Sequence, residues 1–294
     1  MNRGRVGFVG LGRMGLPMCL RLARAGWEIT GVDVSPGARA RATAAGLSVD
    51  SQLGVLAGAD VVQSSLPDGP EVSAVYRGPA GLFSLLSPGS LCIDLSTISV
   101  EVSRDLAVGA AAGGFDFVDA PVSGTSIHAE AGTLAIMVGG DRQAFARAWE
   151  YLAALGGSIH HVGPNGAGLE MKLIGNRLLT SHLVALAEAI IEIESAGLEM
   201  ATCLEVLRAG AVPRLLDYKA GPMAERDFTP RFTIDLMAKD LRLAAERRPP
   251  GRLGAVATAI LGEAWSAGHG AEDVGAVIEM VSSEHGKAQR QEGS

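Results

Sequence analysis

The chain reads as an α/β domain with a mostly parallel sheet, followed by an all-α domain. Three observations predict this. In the first half, short β-rich runs alternate with helical patterns and turn residues, the arrangement of successive βαβ units. The alternation stops at a Gly/Pro-rich stretch, HHVGPNGAG, residues 160–168. Beyond it the chain offers amphipathic helices and no convincing strand. At 294 residues and 48% hydrophobic content there is enough apolar surface for two cores. The division is drawn as residues 1–163 and 164–294.

In chain order, the strands are expected at residues 5–9, 28–33, 60–65, 91–95, 115–119, 133–138 and 158–162, with helices over 16–25, 100–112 and 142–155 among the connections. The first helix of the second domain covers residues 169–195 and is closed by Gly197. At 1.5 Å per residue it is about 40 Å long. Its apolar residues, among them Leu173, Ile174, Leu178, Leu179, Leu183, Val184, Leu186, Ile190 and Ile191, cover more than one face. That pattern predicts burial between domains or subunits, and with it a homodimer or homotetramer. The tail GKAQRQEGS is polar and expected to fray.

Composition removes several function classes. The formal charge is −7 and no run of Lys or Arg occurs, so there is no electrostatic footprint for nucleic acid or an anionic membrane. Cys19, Cys92 and Cys203 are single and widely spaced, which favours reduced, buried thiols over a disulfide framework or metal cluster. The apolar run at the N-terminus is too short for a signal peptide and no uncharged stretch reaches membrane-spanning length, which predicts a cytoplasmic protein. His160, His161, His182, His269 and His285 lack metal-ligand spacing. No G-x-S-x-G elbow supports a serine hydrolase.

Positive chemistry begins with GFVGLGRMGLP, where Gly10, Gly12 and Gly15 form G-x-G-x-x-G between a predicted strand and a predicted helix. This is the context of a Rossmann dinucleotide loop. Gly10 allows the tight turn, Gly12 lets backbone approach a pyrophosphate, and Gly15 lets helix and strand pack closely. Leu11, Arg13 and Met14 complete the loop, and the helix N-terminus presents N–H groups to the anion. The second strand ends at Asp33, 23 residues after Gly10. A carboxylate there binds a ribose 2′-hydroxyl and repels a 2′-phosphate, favouring NAD. Arg39 and Arg41 follow closely and keep NADP open.

Taken with DLST, DAPVSG, G-x-G-x-x-x-K and KDL, these residues resemble the β-hydroxyacid dehydrogenase family, of the 3-hydroxyisobutyrate dehydrogenase, tartronate semialdehyde reductase and sulfolactaldehyde reductase type. The resemblance covers nearly the whole chain. It implies that Leu66 and Pro67 line the cofactor, that Ser96 and Thr97 of DLST lie by the nicotinamide, and that Ser123 and Gly124 hold the substrate's acid group. Physically, a hydroxyl and exposed N–H groups in a glycine-containing turn make an anion nest. The family's next glycine is Thr125 here, a departure that bears on substrate identity, and His128 lies in the same loop.

Lys172 matches the family's catalytic lysine and Asn176 its asparagine four residues later. Residues at i and i+4 share a helix face, so both can converge on one substrate oxygen. A lysine lowered toward neutrality by burial takes the hydroxyl proton in oxidation and returns it in reduction. Its structural alternative is an ion pair with Glu170 or Glu188. Gly175, where relatives carry Asn, costs up to ~1 kcal/mol in a helix interior, so either a close neighbour or extra ligand room is expected. Phe232, Lys239 and Asp240 match the family's Pro-x-Phe and KDL segments, which implies that Phe232 and Lys239 reach the cofactor and substrate cleft while Asp240 supports the helix. The alternative for Lys239 and Asp240 is a surface charge pair. Arg177 and Arg214 are further cationic candidates.

The resulting expectation is a metal-free, NAD-dependent dehydrogenase of a 3-hydroxy acid, with a 3-hydroxyisobutyrate-like substrate, or a reductase of the matching semialdehyde. Its rivals are a reductase of a larger polar semialdehyde, an imine reductase-like enzyme, and a catalytically silent NAD-binding regulatory protein.

Overall fold

The computed structural model describes residues 4–209, 216–247 and 249–282, so Arg214 and His285 lie outside the described residues. The chain divides into two compact units, Met1–Lys172 and Leu173–Ser294.

The first unit is built on one sheet of nine strands: β1 (Arg5–Val9), β2 (Glu28–Val32), β3 (Ser48–Asp50), β4 (Val61–Ser64), β5 (Leu91–Asp94), β6 (Asp116–Asp119), β7 (Val122–Ser123), β8 (Leu134–Gly139) and β9 (Gly156–Gly163). The order is β3-β2-β1-β4-β5-β6-β8-β7, with β9 pairing on β8. Its first six members are parallel and follow the doubly wound order, so the topological switch lies between β1 and β4. Strands β4 and β5 are buried at every position, as parallel strands covered on both faces must be.

Helices α1 (Gly15–Arg24), α2 (Pro36–Ala44), α3 (Gly69–Arg77), α4 (Leu82–Leu85), α5 (Val100–Ala112), α6 (Ser126–Ala131) and α7 (Arg142–Leu155) connect them. Val6, Phe8, Ile29, Val61, Leu91, Ile93 and Val118 project from alternate strand positions into one core with Met18, Cys19 and Leu22 of α1. Ser35, Asp68, Ser99 and Asp141 cap α2, α3, α5 and α7 through their side chains, each contributing about 1 kcal/mol. Burial pushes the Cys92 thiol up to about 12 and raises that of Cys19 as well, so neither is a ready nucleophile.

Two strands have no counterpart in the sequence reading. β3 is three residues long and β7 two, too short for an alternation to register. The sheet also changes sense, because β8 runs antiparallel to β6 and β7. The six-residue α6 is too short for the crossover that a parallel return demands.

The second unit is helical. It contains α8 (Ala167–Ser195) from Leu173 onward, α9 (Met200–Ala209), a π-helical turn over Leu216–Ala220, α10 (Gly221–Ala224), α11 (Ile234–Arg247) and α12 (Arg252–Ala264). Leu183, Ala187, Ile190 and Ile191 of α8 share a core with Ile234, Met237, Leu241, Leu261 and Val277. The helix ends as the sequence predicts: Gly197 takes φ +66°, and its N–H donates to the Glu194 carbonyl. Not all of its apolar surface is covered, since Met171, Ile174 and Leu178 are 40%, 49% and 60% exposed. A buried ion pair joins Lys219 of the π turn to Asp273, which also accepts from the N–H groups of Gly275, Arg231 and Phe232. Burial pushes the Asp273 carboxyl up, but the ammonium and these amides outweigh it and hold it below its usual range.

Candidate active site

The β1–α1 loop has the geometry that a dinucleotide requires. Gly10 takes φ +95°, and a Cβ there would meet the Ser65 carbonyl oxygen at 2.2 Å. One on Gly15 would lie 1.8 Å from the Gly10 carbonyl oxygen, so strand and helix touch through these two residues. Gly12 is the opposite case: its missing side chain faces nothing within 4 Å. Arg13 is exposed and Met14 half-buried beside it. α1 carries no side-chain cap, unlike the four capped helices above, which leaves its first amides to a pyrophosphate. The residues present therefore fit the cofactor.

Asp33 braces the loop from the end of β2. Its Oδ2 accepts from the Leu11 N–H at 2.7 Å and its Oδ1 from the Ser35 N–H at 2.7 Å. The carboxylate is only partly buried and retains lone pairs for a ribose hydroxyl. Arg39 turns its Nη1 onto the carbonyls of Asp33 and Val34, at 2.7 and 2.9 Å.

A buried carboxylate ties the next two loops together. Asp94 Oδ1 accepts from the Ser64 hydroxyl at 2.8 Å and from the Ser96 hydroxyl at 2.6 Å, while Ser96 Oγ accepts from the Leu66 N–H at 2.9 Å. Ser96 thus clamps the Leu66–Pro67 loop to DLST, whereas Thr97 and Pro67 stay accessible. Sequence reasoning passed over Asp94; the available signal was a carboxylate inside the otherwise apolar run LCIDL.

The segment carrying Ser123 and Gly124 follows β6, which ends at Asp119. Ser123 and Gly124 are exposed, and Gly124 takes φ +135°; a Cβ there would crowd Leu134 at 2.9 Å and His128 at 3.0 Å. Thr125 and His128 form one unit. The Thr125 N–H donates to His128 Nδ1 at 3.1 Å, so the proton of the neutral ring sits on Nε2, where it can donate outward. Asp119 itself turns inward, 1% exposed, and accepts from the Gly166 N–H at 2.6 Å and the Leu169 N–H at 3.1 Å. It thereby fastens the first turn of α8, one turn before Lys172. Lys172 is buried at 8% exposure.

In the second unit Asn176, 4% exposed, donates its Nδ2 to Asp240 Oδ2. A carboxylate only accepts, which fixes the amide: the nitrogen faces Asp240. Asp240 Oδ1 lies 3.2 Å from Lys239 Nζ. The charge pair therefore exists, but it is buried rather than on the surface, with Asp240 2% exposed. Phe232 is half-buried, and its N–H is held by Asp273 at 3.1 Å. A Cβ on Gly175 would meet nothing within 4 Å, so of the two expectations for that position the structure favours open room. Of the remaining histidines, His160 bonds Ser158, His161 bonds the Gly140 carbonyl, His182 bonds the Leu178 carbonyl and His269 pairs with Glu272. Among the described residues no helix is long and apolar enough to cross a membrane.

Comparison with known proteins agrees with this geometry. Residues 5–163 match the NAD-binding domain of 6-phosphogluconate dehydrogenase, and residues 166–281 match the NAD-binding family of NADP-dependent 3-hydroxyisobutyrate dehydrogenase. The chain is 35% identical to 2-(hydroxymethyl)glutarate dehydrogenase of Eubacterium barkeri, covering 94% of both chains. It is 38% identical to 3-hydroxyisobutyrate dehydrogenase of Pseudomonas aeruginosa, over 81% of this chain and 83% of the relative. The solved structure of Mycobacterium tuberculosis 3-hydroxyisobutyrate dehydrogenase with L-serine matches with a TM-score of 0.84 at 35% identity, over 95% of this chain and 99% of that one. With NAD(P)-binding units along its length and these relatives, the chain belongs to the β-hydroxyacid dehydrogenase family of oxidoreductases acting on CH–OH groups.

Proposed function

We propose that the protein oxidises a 3-hydroxy acid of the 3-hydroxyisobutyrate type to its semialdehyde, or runs the reverse reduction, with NAD as cofactor and Lys172 as the acid/base. One observation carries this reading: a lysine buried at 8% exposure, on a helix whose first turn is fastened to the strand that launches the Ser123–Gly124 turn. Burial disfavours the charged form of an amine and so draws its proton affinity toward the range that proton transfer needs, the task this family requires.

When bound, the nicotinamide supplies the hydride acceptor or donor. The chain's own residues do the rest. Ser123 and the amides of its turn hold the acid group, leaving the hydroxyl toward Lys172. Neutral Lys172 takes the hydroxyl proton in oxidation, and its ammonium returns it in reduction. Asn176, four residues on along α8, orients the same oxygen. Gly10, Leu11, Gly12, Arg13, Met14 and Gly15 seat the pyrophosphate, with Leu66, Pro67, Ser96 and Thr97 along the cofactor and Phe232 and Lys239 completing its contacts. Asp33 supports NAD over NADP, and so does Arg39, whose Nη1 already serves two carbonyls. Thr125 and His128 set tolerance for the substrate's far end. The exposed stripe of Met171, Ile174 and Leu178 supports a homodimer or homotetramer.

The test is initial-rate production of reduced nicotinamide from NAD or NADP, for wild type and Lys172→Ala. The panel holds 3-hydroxyisobutyrate, 3-hydroxypropionate, glycerate, threonate, L-serine and 2-(hydroxymethyl)glutarate. Turnover of one acid, falling by about 10²–10⁴-fold in the variant while NAD still binds, is the expected result. Turnover that survives the substitution sinks the role of Lys172. Tight NAD binding without turnover in either protein favours a silent binder.

A further inference from the structure

Asp119 has no part in holding cofactor or substrate in the reading above, yet the structure is arranged around it. Its two oxygens reach 47 and 50 residues along the chain to the N–H groups of Gly166 and Leu169. Two glycines make room for it and a third supplies the left-handed turn that brings one of its amides round. A Cβ on Gly139 would lie 2.6 Å from its Oδ1, one on Gly168 would lie 2.9 Å from its Oδ2 and 2.3 Å from the Met137 carbonyl oxygen, and Gly166 holds a left-handed φ of +89°. The same residue begins the loop that carries Ser123 and Gly124, and Lys172 follows Leu169 by less than one helical turn.

We propose that Asp119 is a positioning residue for the reaction, its ionised carboxylate holding the first turn of α8 so that Lys172 keeps its place relative to the acid-binding turn. This rests on the acid/base reading of Lys172. Both amides need an acceptor at once, and an ionised carboxylate offers each a charged oxygen. When one oxygen carries a proton, one amide is left with a neutral hydroxyl, a weaker acceptor, and the turn loosens.

Burial raises the Asp119 carboxyl to about 6; the amides of Gly166 and Leu169 pull it down and Asp94 adds to the rise. Activity should therefore fall as pH drops through that value. Stability moves the other way. The folded-state value lies above the ~3.9 of an unfolded aspartate, so the native protein takes up this proton first, and between about pH 6 and 4 this group adds to stability on acidification. Acid should thus cost turnover before it costs the fold. The other ionisable groups on the surrounding elements include Cys92 and Asp94 on β5, Glu101, Arg104 and Asp105 on α5, His160 and His161 on β9, and Glu170 and Lys172 in the first turns of α8. Arg104 donates to the Asn165 carbonyl, and Asp116 at the far end of β6 is engaged by Arg147 of α7. β8 contributes none.

The experiment measures kcat and KM for reduction of the semialdehyde between about pH 5 and 8 for wild type, Asp119→Asn and His161→Gln, with NADH affinity by fluorescence at each pH. In that direction Lys172 must be protonated and so adds no acid limb of its own. The expected result is an acid limb in kcat for wild type and His161→Gln and none in Asp119→Asn. That variant's kcat should be about 10–100-fold lower, with NADH affinity changed less than about threefold. An acid limb that persists in Asp119→Asn, one that vanishes in His161→Gln, or an unchanged kcat overturns the proposal. If Asp119→Asn does not fold, hydrogen exchange on the wild type decides. Protection of the segment 164–172, corrected for intrinsic rate, should drop from about pH 7 to 5 while that of β1 and β4 holds; constant protection overturns it. Should Lys172→Ala stay active, the reading of the reaction fails instead; should it collapse while Asp119→Asn does not, only this inference fails.

Discussion

Two aspartates in the first unit do the same mechanical job with different outcomes. Asp33 and Asp119 each stand at the end of a parallel strand, and each closes a glycine-rich strand-to-helix junction by accepting two backbone N–H groups. Around Asp33 the junction is open: the carboxylate is partly exposed and Gly12 faces empty space. Around Asp119 it is closed, with the carboxylate 1% exposed and Gly168 pressed onto backbone. The first arrangement leaves acceptor capacity for a ligand. The second leaves what remains out of reach of solvent. Solvent access, rather than residue type, separates a ligand-binding aspartate from a fastening one.

Substitutions on the two sides can break or sharpen that contrast. The largest effect is expected for Gly168→Ala, whose methyl group would meet the Met137 carbonyl oxygen at 2.3 Å, a backbone atom with little freedom to move. A loss of about 3 kcal/mol in urea unfolding is expected, and a loss under ~0.5 kcal/mol would show the closed junction to be looser than described. Next comes Asp33→Asn, which removes the charge that repels a 2′-phosphate and one strong acceptor. The ratio of NAD to NADP affinity should fall by about 10–100-fold, while an unchanged ratio would shift cofactor choice to Arg39 and Arg41. The smallest effect is expected for Gly12→Ala. With nothing within 4 Å of the new methyl group, stability should hold within ~0.5 kcal/mol and NAD should bind about tenfold more weakly. Loss of stability there would erase the distinction between open and closed glycines.

What could be read from the sequence was local. The short β-rich run Arg5–Val9, the glycines after it and the helical period of residues 100–112 each depend on neighbours within a few residues, and the structure has them where the sequence puts them. Lys172 stood out because an ammonium is costly in an apolar helix, and resemblance supplied its partner Asn176. The rest depends on partners far along the chain. Asp119 finds its donors 47 and 50 residues away, Ser64 and Asp94 are 30 apart, and Lys219 and Asp273 are 54 apart. No periodicity carries such pairings. The reversal at β8 was hidden for a related reason: strand patterns report burial but not direction.

The span from Asp119 to Leu169 also sets an order of assembly. Until residue 169 has left the ribosome, the carboxylate lacks at least one of its two amides, although β1 to β6 and their helices are already synthesised. A fragment stopped at residue 163, where the first family match ends, would hold a buried acid with no donor from α8. One extended through Lys172 restores both. For anyone expressing the nucleotide-binding half alone, those nine residues separate a chain in which the buried acid has its two donors from one in which it has neither.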